Sequence, residues 1–283
     1  MLVEVMDSLK APLLLRYLLF MRPTRLSEVW PYYRAVVWAT LGRAFGRRSA
    51  VSEHIHRPLH VRCDGIVFAI RHGTGDLGMA ALSVDPQPVT RFFRPIAGDT
   101  IVDVGANIGG YGLRAASVAK RVIVIEPETS NYQQLVENIR LNHLDNVTPM
   151  QVAISDSAGE RLLHLAADSG RHSLEEHAWG RATGQTLAVR LMTLDQVITD
   201  HGIECIDWLK IDVERHELAV LNGATRSLSI TQNLILEFEL SQFQAISTIL
   251  RRHSLEILWY ASDEENSVLI ARSPLTRRGS SPQ

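Results

Sequence analysis

The run Thr100 to Val104, the turn Gly105-Ala106-Asn107-Ile108-Gly109-Gly110 and the run Val122-Ile123-Val124-Ile125-Glu126-Pro127 constrain this chain most. Read in order they give a strand, a glycine turn, a helical stretch and a second strand ending in an acid. Glu126 lies 21 residues past Gly105. That spacing suits a Rossmann-like nucleotide site, where the turn approaches the ligand and the acid takes ribose hydroxyls.

The turn reads Gly-x-x-x-Gly-Gly. It lacks the Gly-x-Gly-x-x-Gly spacing that favours a pyrophosphate, so a nucleotide-dependent dehydrogenase or epimerase fits poorly. S-adenosylmethionine (AdoMet) has a ribose and no phosphate, which points first to methyl transfer. Gly105 and Gly109 would let the backbone pass close to AdoMet, or serve as turn and packing glycines. Asp103 would hold the turn amides or the methionine ammonium, or cap the turn locally. Asn107 would orient the turn or face the AdoMet carboxylate. Glu126 is the strongest single candidate, because a carboxylate accepts from two hydroxyls at once.

Composition bounds what surrounds this unit. Of 283 residues 46% are hydrophobic and 21% charged, enough for a substantial core and against wholesale disorder. A net charge of −2 argues against a general nucleic-acid binder. The charge is uneven: residues 1–50 hold eight Lys or Arg against three Asp or Glu, which leaves 21 against 28 for the remainder. Cys63 and Cys205 lie far apart, so a disulfide framework or cysteine zinc site is disfavoured and a reducing cytosol fits. No signal-peptide order opens the sequence, and its most apolar run, Ala11 to Met21, is too short to span a bilayer. The expected location is cytoplasmic, with peripheral contact at the inner membrane face through residues 1–50 as an alternative.

Residues 1–50 read as two helices separated near Arg22-Pro23-Thr24. They form an amphipathic anchor or an appendage packed on the core. Residues 1–58 are thus expected as a helical appendage, 59–272 as the main domain with its core at 99–240, and 273–283 as a disordered tail. Leu59 to Arg71 suggests a hairpin turning at Asp64-Gly65. A helix over Asn131 to His143 carries a Ser130-x-x-Gln133 capping box. The strand near Met150 to Ile154 follows Pro149, which suits an edge. Residues 157–191 form an insertion with two strand-like pieces around a polar segment, as lids and substrate walls do. A helix from Thr193, the strand Ile206 to Ile211, the helix Glu217 to Asn222 and the strand Leu234 to Phe238 continue the alternation. Helix Gln242 to Arg252 then leads into Leu255 to Tyr260 and Val268 to Ala271, whose short connection makes them antiparallel.

In this order and spacing, Asp103-Val-Gly-Ala-Asn-Ile-Gly109, Glu126-Pro127, Asn138 with Asn142, Thr193-Leu194-Asp195 and Lys210-Ile-Asp-Val-Glu214 resemble the FkbM family of class I AdoMet-dependent methyltransferases. The resemblance implies an α/β, Rossmann-like class I methyltransferase fold, a mostly parallel sheet with a C-terminal antiparallel strand. This chain adds N-terminal helices and a small β hairpin. The resemblance also implies AdoMet as cofactor and O-methylation of a hydroxyl on a sugar, glycan, glycolipid or polyketide-type product, with a small-molecule, glycan or carrier-linked acceptor. The alternative is a non-catalytic AdoMet-binding or carrier-docking module. Where the family usually has Asp-x-Glu-Gly-x-Glu, this chain has Asp212-Val213-Glu214-Arg215-His216-Glu217. Arginine is expected to forgo the positive φ open to glycine and to favour an anionic acceptor.

Ser155-Asp156 ends the third strand, where class I enzymes place a polar residue against the adenine amine; it is equally good turn chemistry. Asp212, Glu214 and Glu217 crowd the end of the fourth strand. One of them would orient or deprotonate the acceptor hydroxyl. Their alternatives are a divalent metal or capping of the following helix; the first reading is preferred and no metal is expected. His216 is a candidate base beside them, while His172 and His177 in the insertion are candidates to reach the substrate. Glu237 and Glu239 alternate on the fifth strand, so one would face the cleft.

Overall fold

The structure, a computed structural model, describes residues 17, 20–44, 51–82, 92–176, 182–262 and 267–274. Among them the chain runs through β1 (Met21–Pro23), α1 (Leu26–Ala44), a 3-10 turn (Val51–His54), β2 (Leu59–Cys63), β3 (Ile66–Ile70) and α2 (Asp76–Ala80). Next come β4 (Thr100–Val104), α3 (Gly112–Ala116), β5 (Arg121–Ile125), α4 (Thr129–Leu141), β6 (Val147–Met150), β7 (Ala153–Ile154), β8 (Gly159–Ala166) and β9 (Ala182–Met192). The last part holds α5 (Leu194–Asp200), β10 (Ile206–Ile211), α6 (Glu217–Asn222), α7 (Thr225–Ser229), β11 (Thr231–Phe238), α8 (Phe243–Arg252), β12 (Glu256–Ser262) and β13 (Ser267–Arg272).

Seven strands form the central sheet in the order β12-β13-β11-β10-β4-β5-β6. From β11 to β6 the neighbours are parallel, and β13 runs antiparallel to both β11 and β12. The reversed strand expected near the C-terminus therefore exists, but it lies inside the sheet. β10 is buried at every position because helices cover both faces. Ile101, Val122, Val124 and Trp208 belong to one core with Leu113 and Leu135, whereas Val102, Ile123, Leu209 and Ile211 belong to a second with Val197, Val220 and Leu250. Pro149 sits in β6, an edge strand, where its missing N–H interrupts no interior ladder. This is the class I methyltransferase arrangement implied by the motifs.

Some local expectations are corrected. The break at Arg22-Pro23-Thr24 is largely strand β1, which pairs with β2 in a separate sheet, β1-β2-β3. The first N-terminal helix, apart from Tyr17 and Phe20, lies outside the described residues. Met21, Tyr32 and Val36 share a core with Phe68, Ile108 and Leu113, so this segment completes the main core across residue 58. The strand expected over Met150 to Ile154 divides into β6 and β7, which join different sheets. β7 pairs with β9, and β8 completes a third sheet in the order β7-β9-β8. Helix α4 is capped by Glu128, whose carboxylate accepts from the Asn131 amide at 2.7 Å. A charged acceptor at the positive end of a helix displaces the Ser130 box expected there. Residues 275–283 of the expected tail lie outside the described residues.

Candidate active site

The chain turns to one side of β4 to make β5 and reaches β10 on the other side. The carboxyl ends of these strands border a cleft of about 460 Å³, at the switch point where open α/β sheets place ligands. Gly105, Asn107 and Glu126 line it together with Asp212, Glu214, His216 and Glu237. Ser169, Gly170, His172 and Leu174, all from the segment joining β8 to β9, form a wall. The insertion thus borders the cleft.

The glycine turn is held from behind. Gly105 has φ +77°, and a Cβ there would lie 1.7 Å from the carbonyl oxygen of Asp212. Gly109 has φ +96°, and its Cβ would press into Leu113 and Leu135. Asn107, also left-handed at φ +51°, donates its amide to Glu126 Oε2 at 2.9 Å. Glu126 Oε1 accepts from the Glu128 amide at 3.0 Å. Burial pushes the Glu126 carboxyl up to about 7, although these two amides pull it down. A carboxylate offers roughly four acceptor sites, so the two amides leave capacity for further donors. Asn107 Oδ1 is buried with no hydrogen-bond partner among the described residues.

Asn107 Nδ2 and Asn131 Nδ2 both donate to the Ser169 carbonyl, at 3.3 and 2.8 Å. These bonds tie the insertion to the nucleotide turn. Asp103 does not line the cleft: its Oδ2 accepts from the Gly112 amide at 2.9 Å, the local structural role. Lys210, which carried no predicted role, donates to the Gly105 carbonyl and to Asp212 Oδ2, both at 3.1 Å. Its ammonium also lies 3.7 Å from Asp103 Oδ1 and 5.4 Å from the Tyr111 ring centroid. Burial opposes the charge, but Asp212 and Asp103 outweigh it and hold the amine above its ordinary range. The sequence signals for this cation were its place in the Lys210-Ile-Asp-Val-Glu214 motif and a lysine inside an apolar strand.

After β10 the chain is strained. Glu214 (φ +53°) and Arg215 (φ +78°) are consecutive left-handed residues, a conformation costly for non-glycine side chains. The expectation that arginine would forgo a positive φ is therefore overturned; the surrounding hydrogen bonds impose it. Glu217 Oε1 accepts from the amides of Val213 and Arg215 at 3.3 and 3.0 Å, and the Arg215 carbonyl accepts from Gln242. Glu217 thus braces the turn that precedes α6 and does not line the cleft, and burial raises its carboxyl to about 7. The Arg215 guanidinium lies 3.6 Å from Glu239, outside the cleft lining. Glu214 does line the cleft. Burial, then Asp212, Glu237 and Glu217, push its carboxyl up to about 9.

His216 is buried with both ring nitrogens engaged. Nδ1 lies 2.6 Å from Glu175 Oε1 and Nε2 lies 2.9 Å from Ser155 Oγ. This clasp joins the insertion to the end of β7; Ser155 meets His216 instead of the cleft. Asp156 is exposed and accepts from the hydroxyls of Ser155 and Ser157, at 3.4 and 2.9 Å. His172 lines the cleft, its Nδ1 accepting from the Ala166 amide at 3.1 Å, and burial lowers its pKa. His177 lies outside the described residues. Of the alternating pair, Glu237 faces the cleft. Among the described residues no group of three His, Cys, Asp or Glu is placed to hold a metal ion.

Residues 103–256 match the family described as Methyltransferase FkbM domain. The chain is 27% identical over 141 residues to the hexuronic acid methyltransferase AglP of Haloferax volcanii, covering 49% of this chain and 55% of AglP. It is 31% identical over 155 residues to the 31-O-demethyl-FK506 methyltransferase FkbM of Streptomyces tacrolimicus, covering 44% and 59%. The chain thus spans little more than half the length of these two curated relatives. Among solved structures it is similar to methyltransferase FkbM from Methylobacillus flagellatus KT, with a TM-score of 0.47 and 18% identity over 70% of this chain and 53% of that one.

Proposed function

The chain belongs to the FkbM methyltransferase family, and on that premise we propose that it is an AdoMet-dependent O-methyltransferase. Its acceptor is a hydroxyl of a sugar, glycan, glycolipid or polyketide-type product. One observation carries the reading: a single cleft is lined by Glu126 and the glycine turn together with the acids Asp212, Glu214 and Glu237. The names of the two relatives, one for a hexuronic acid and one for an O-demethyl natural product, support an acceptor of this kind.

The residues fit AdoMet. Glu126 would accept from ribose hydroxyls with the sites its amide bonds leave. Asn107 Oδ1, buried without a partner among the described residues, would take a donor such as the methionine ammonium. The acids complement a cation. When bound, AdoMet supplies a methyl group already activated on a sulfonium, so the protein need chiefly align an oxygen and exclude water. The wall of Ser169, Gly170, His172 and Leu174 serves the second task. Glu214 serves the first. Its raised pKa keeps it protonated near neutrality, and an arriving cation lowers that pKa again. The resulting carboxylate orients the acceptor hydroxyl and can take its proton as the methyl is transferred.

The test is transfer of a labelled methyl from AdoMet to nucleotide sugars, uronic acids, lipid-linked glycans and polyketide alcohols. We expect label in one class, with one S-adenosylhomocysteine formed per methyl. AdoMet binding without transfer to any class would favour the carrier-docking module.

A further inference from the structure

Helix α1 has two unlike faces. Tyr32, Ala35, Val36, Ala39 and the Glu28 carboxylate are buried. The opposite face presents Leu26 at 94% exposure, Trp30 at 74% and Trp38 at 56%, together with Val29, Val37 and Leu41. Six of the eight exposed side chains described on this helix are large and apolar. Scattered surface hydrophobics need no explanation, but a contiguous stripe of them does.

Along residues 20–41 the exposed charges have one sign. Arg22 and Arg25 are exposed at its N-terminal end and Arg34 lies within it. Between residues 20 and 41 the acidic side chain is Glu28, which is buried and bonded to the amide and ring of His60 at 3.0 and 2.9 Å. The exposed face therefore carries indoles, aliphatics and guanidiniums, without a carboxylate.

We propose that this face docks on an anionic membrane surface, with α1 lying in the plane of the interface. Indole rings settle at the headgroup level, and arginines pair with lipid phosphates beside them. No described helix is long and apolar enough to cross a membrane, so α1 lies on the surface. A second copy of the chain is a poorer occupant, because a two-fold contact through this face would set its arginines against one another.

Docking also bears on the acceptor. Helix α1 packs on the 3-10 turn at Val51–His54, which in turn packs on α2. Met79 of α2 and the neighbouring Leu82 line the cleft. One layer thus runs from the docking face to the cleft rim, and the acceptor it suits is a hydroxylated head group carried on a lipid. That last step rests on the methyltransferase reading, whereas the docking does not.

The test is flotation of the full chain with vesicles of phosphatidylcholine alone and of phosphatidylcholine containing about 30% phosphatidylglycerol. AdoMet affinity is measured in parallel by calorimetry, so failure of docking is distinguishable from failure of the cofactor site. We expect flotation with the anionic vesicles only, weakened by high salt. The double variant Trp30→Ser/Trp38→Ser should weaken vesicle binding about tenfold or more, and Arg22→Glu/Arg34→Glu should abolish the preference for anionic lipid. Both should leave AdoMet affinity unchanged. Absence of flotation, equal binding to neutral vesicles, or undiminished binding by the tryptophan variant would each overturn the proposal. So would a wild-type dimer that the tryptophan variant converts to monomer.

Discussion

The carbonyl oxygen of Asp212 occupies the space beside Gly105, so near that a Cβ on residue 105 would approach it to 1.7 Å. The end of β10 and the turn after β4 are thereby one unit. Whatever shifts the cofactor turn also shifts the strand end that carries the acids. Gly105→Ala must displace that carbonyl and hold a left-handed φ. We expect a loss of about 2–4 kcal/mol in urea unfolding, together with loss of AdoMet binding. An unchanged midpoint would show that the turn and β10 move independently.

Glu126 is expected to govern cofactor affinity. Its charge-assisted bonds to ribose hydroxyls should make Glu126→Ala weaken AdoMet about 10- to 150-fold. The carboxylate also bridges the amides of Asn107 and Glu128. The alanine variant should therefore lose about 1–3 kcal/mol of stability as well. Glu126→Gln should fall between, since an amide cannot accept at both ends. Calorimetric titration beside thermal melting checks both effects; full affinity in the alanine variant would place the nucleotide elsewhere.

The pH dependence has a definite sign. Glu126, Glu214 and Glu217 have folded-state pKa values raised to about 7, about 9 and about 7. The folded protein holds these protons where the unfolded chain has released them. Their stabilising linkage is complete below the ordinary carboxylate range and is lost as pH rises through about 7 and then about 9. The melting temperature of the cofactor-free protein should fall from pH 5 to pH 9, and AdoMet binding should tighten while releasing protons. Calorimetry in two buffers of different ionisation enthalpy measures the release. Zero release at pH 7.5 would remove Glu214 from the cation's surroundings.

Lys210 is a positive charge that binds Asp103, Asp212 and the Gly105 carbonyl together. Lys210→Met leaves buried acid uncompensated, and removing one partner of such a group costs about 3–5 kcal/mol. Chemical unfolding would reveal it; a cost below about 1 kcal/mol would mean that water already solvates these acids.

Much of this fold is legible because its signals are local. The glycine turn, Glu126, the apolar parallel strands and the final antiparallel pair each follow from spacing or periodicity within a few residues. What is hidden depends on partners distant in sequence. The packing of Gly105 against the Asp212 carbonyl appears only when β10 is placed behind the turn. Ser155 and His216 look like an adenine contact and a base until Glu175 closes the clasp. β1 has three residues and no strand pattern of its own; it exists because β2 offers an edge. The left-handed turn at Arg215 is set by Glu217 and Gln242, which no propensity at position 215 encodes.

That dependence on β1 yields a further expectation. A chain beginning at Pro58 would uncover Leu59, Val61 and Phe68, which now share a core with Met21, Tyr32 and Val36. It should aggregate or bind a hydrophobic dye, as size-exclusion chromatography and dye fluorescence would report. A monomeric, AdoMet-binding fragment would restore the view of residues 1–58 as an appendage.

The place of β13 gives the protein a vulnerable moment. Among the described strands this one is synthesised last, yet it lies between β11 and β12. Until it emerges, β11 carries an open edge beside Leu234, Ile235 and Leu236, side chains that are buried once folding is complete. At ribosomal rates of about 5–20 residues per second, the stretch from 238 to 267 takes roughly 1.5–6 seconds to make. During that interval nascent chains on one messenger can pair edge to edge. A ribosome stalled between residues 238 and 267 is thus more hazardous to this protein than one halted within the first hundred residues.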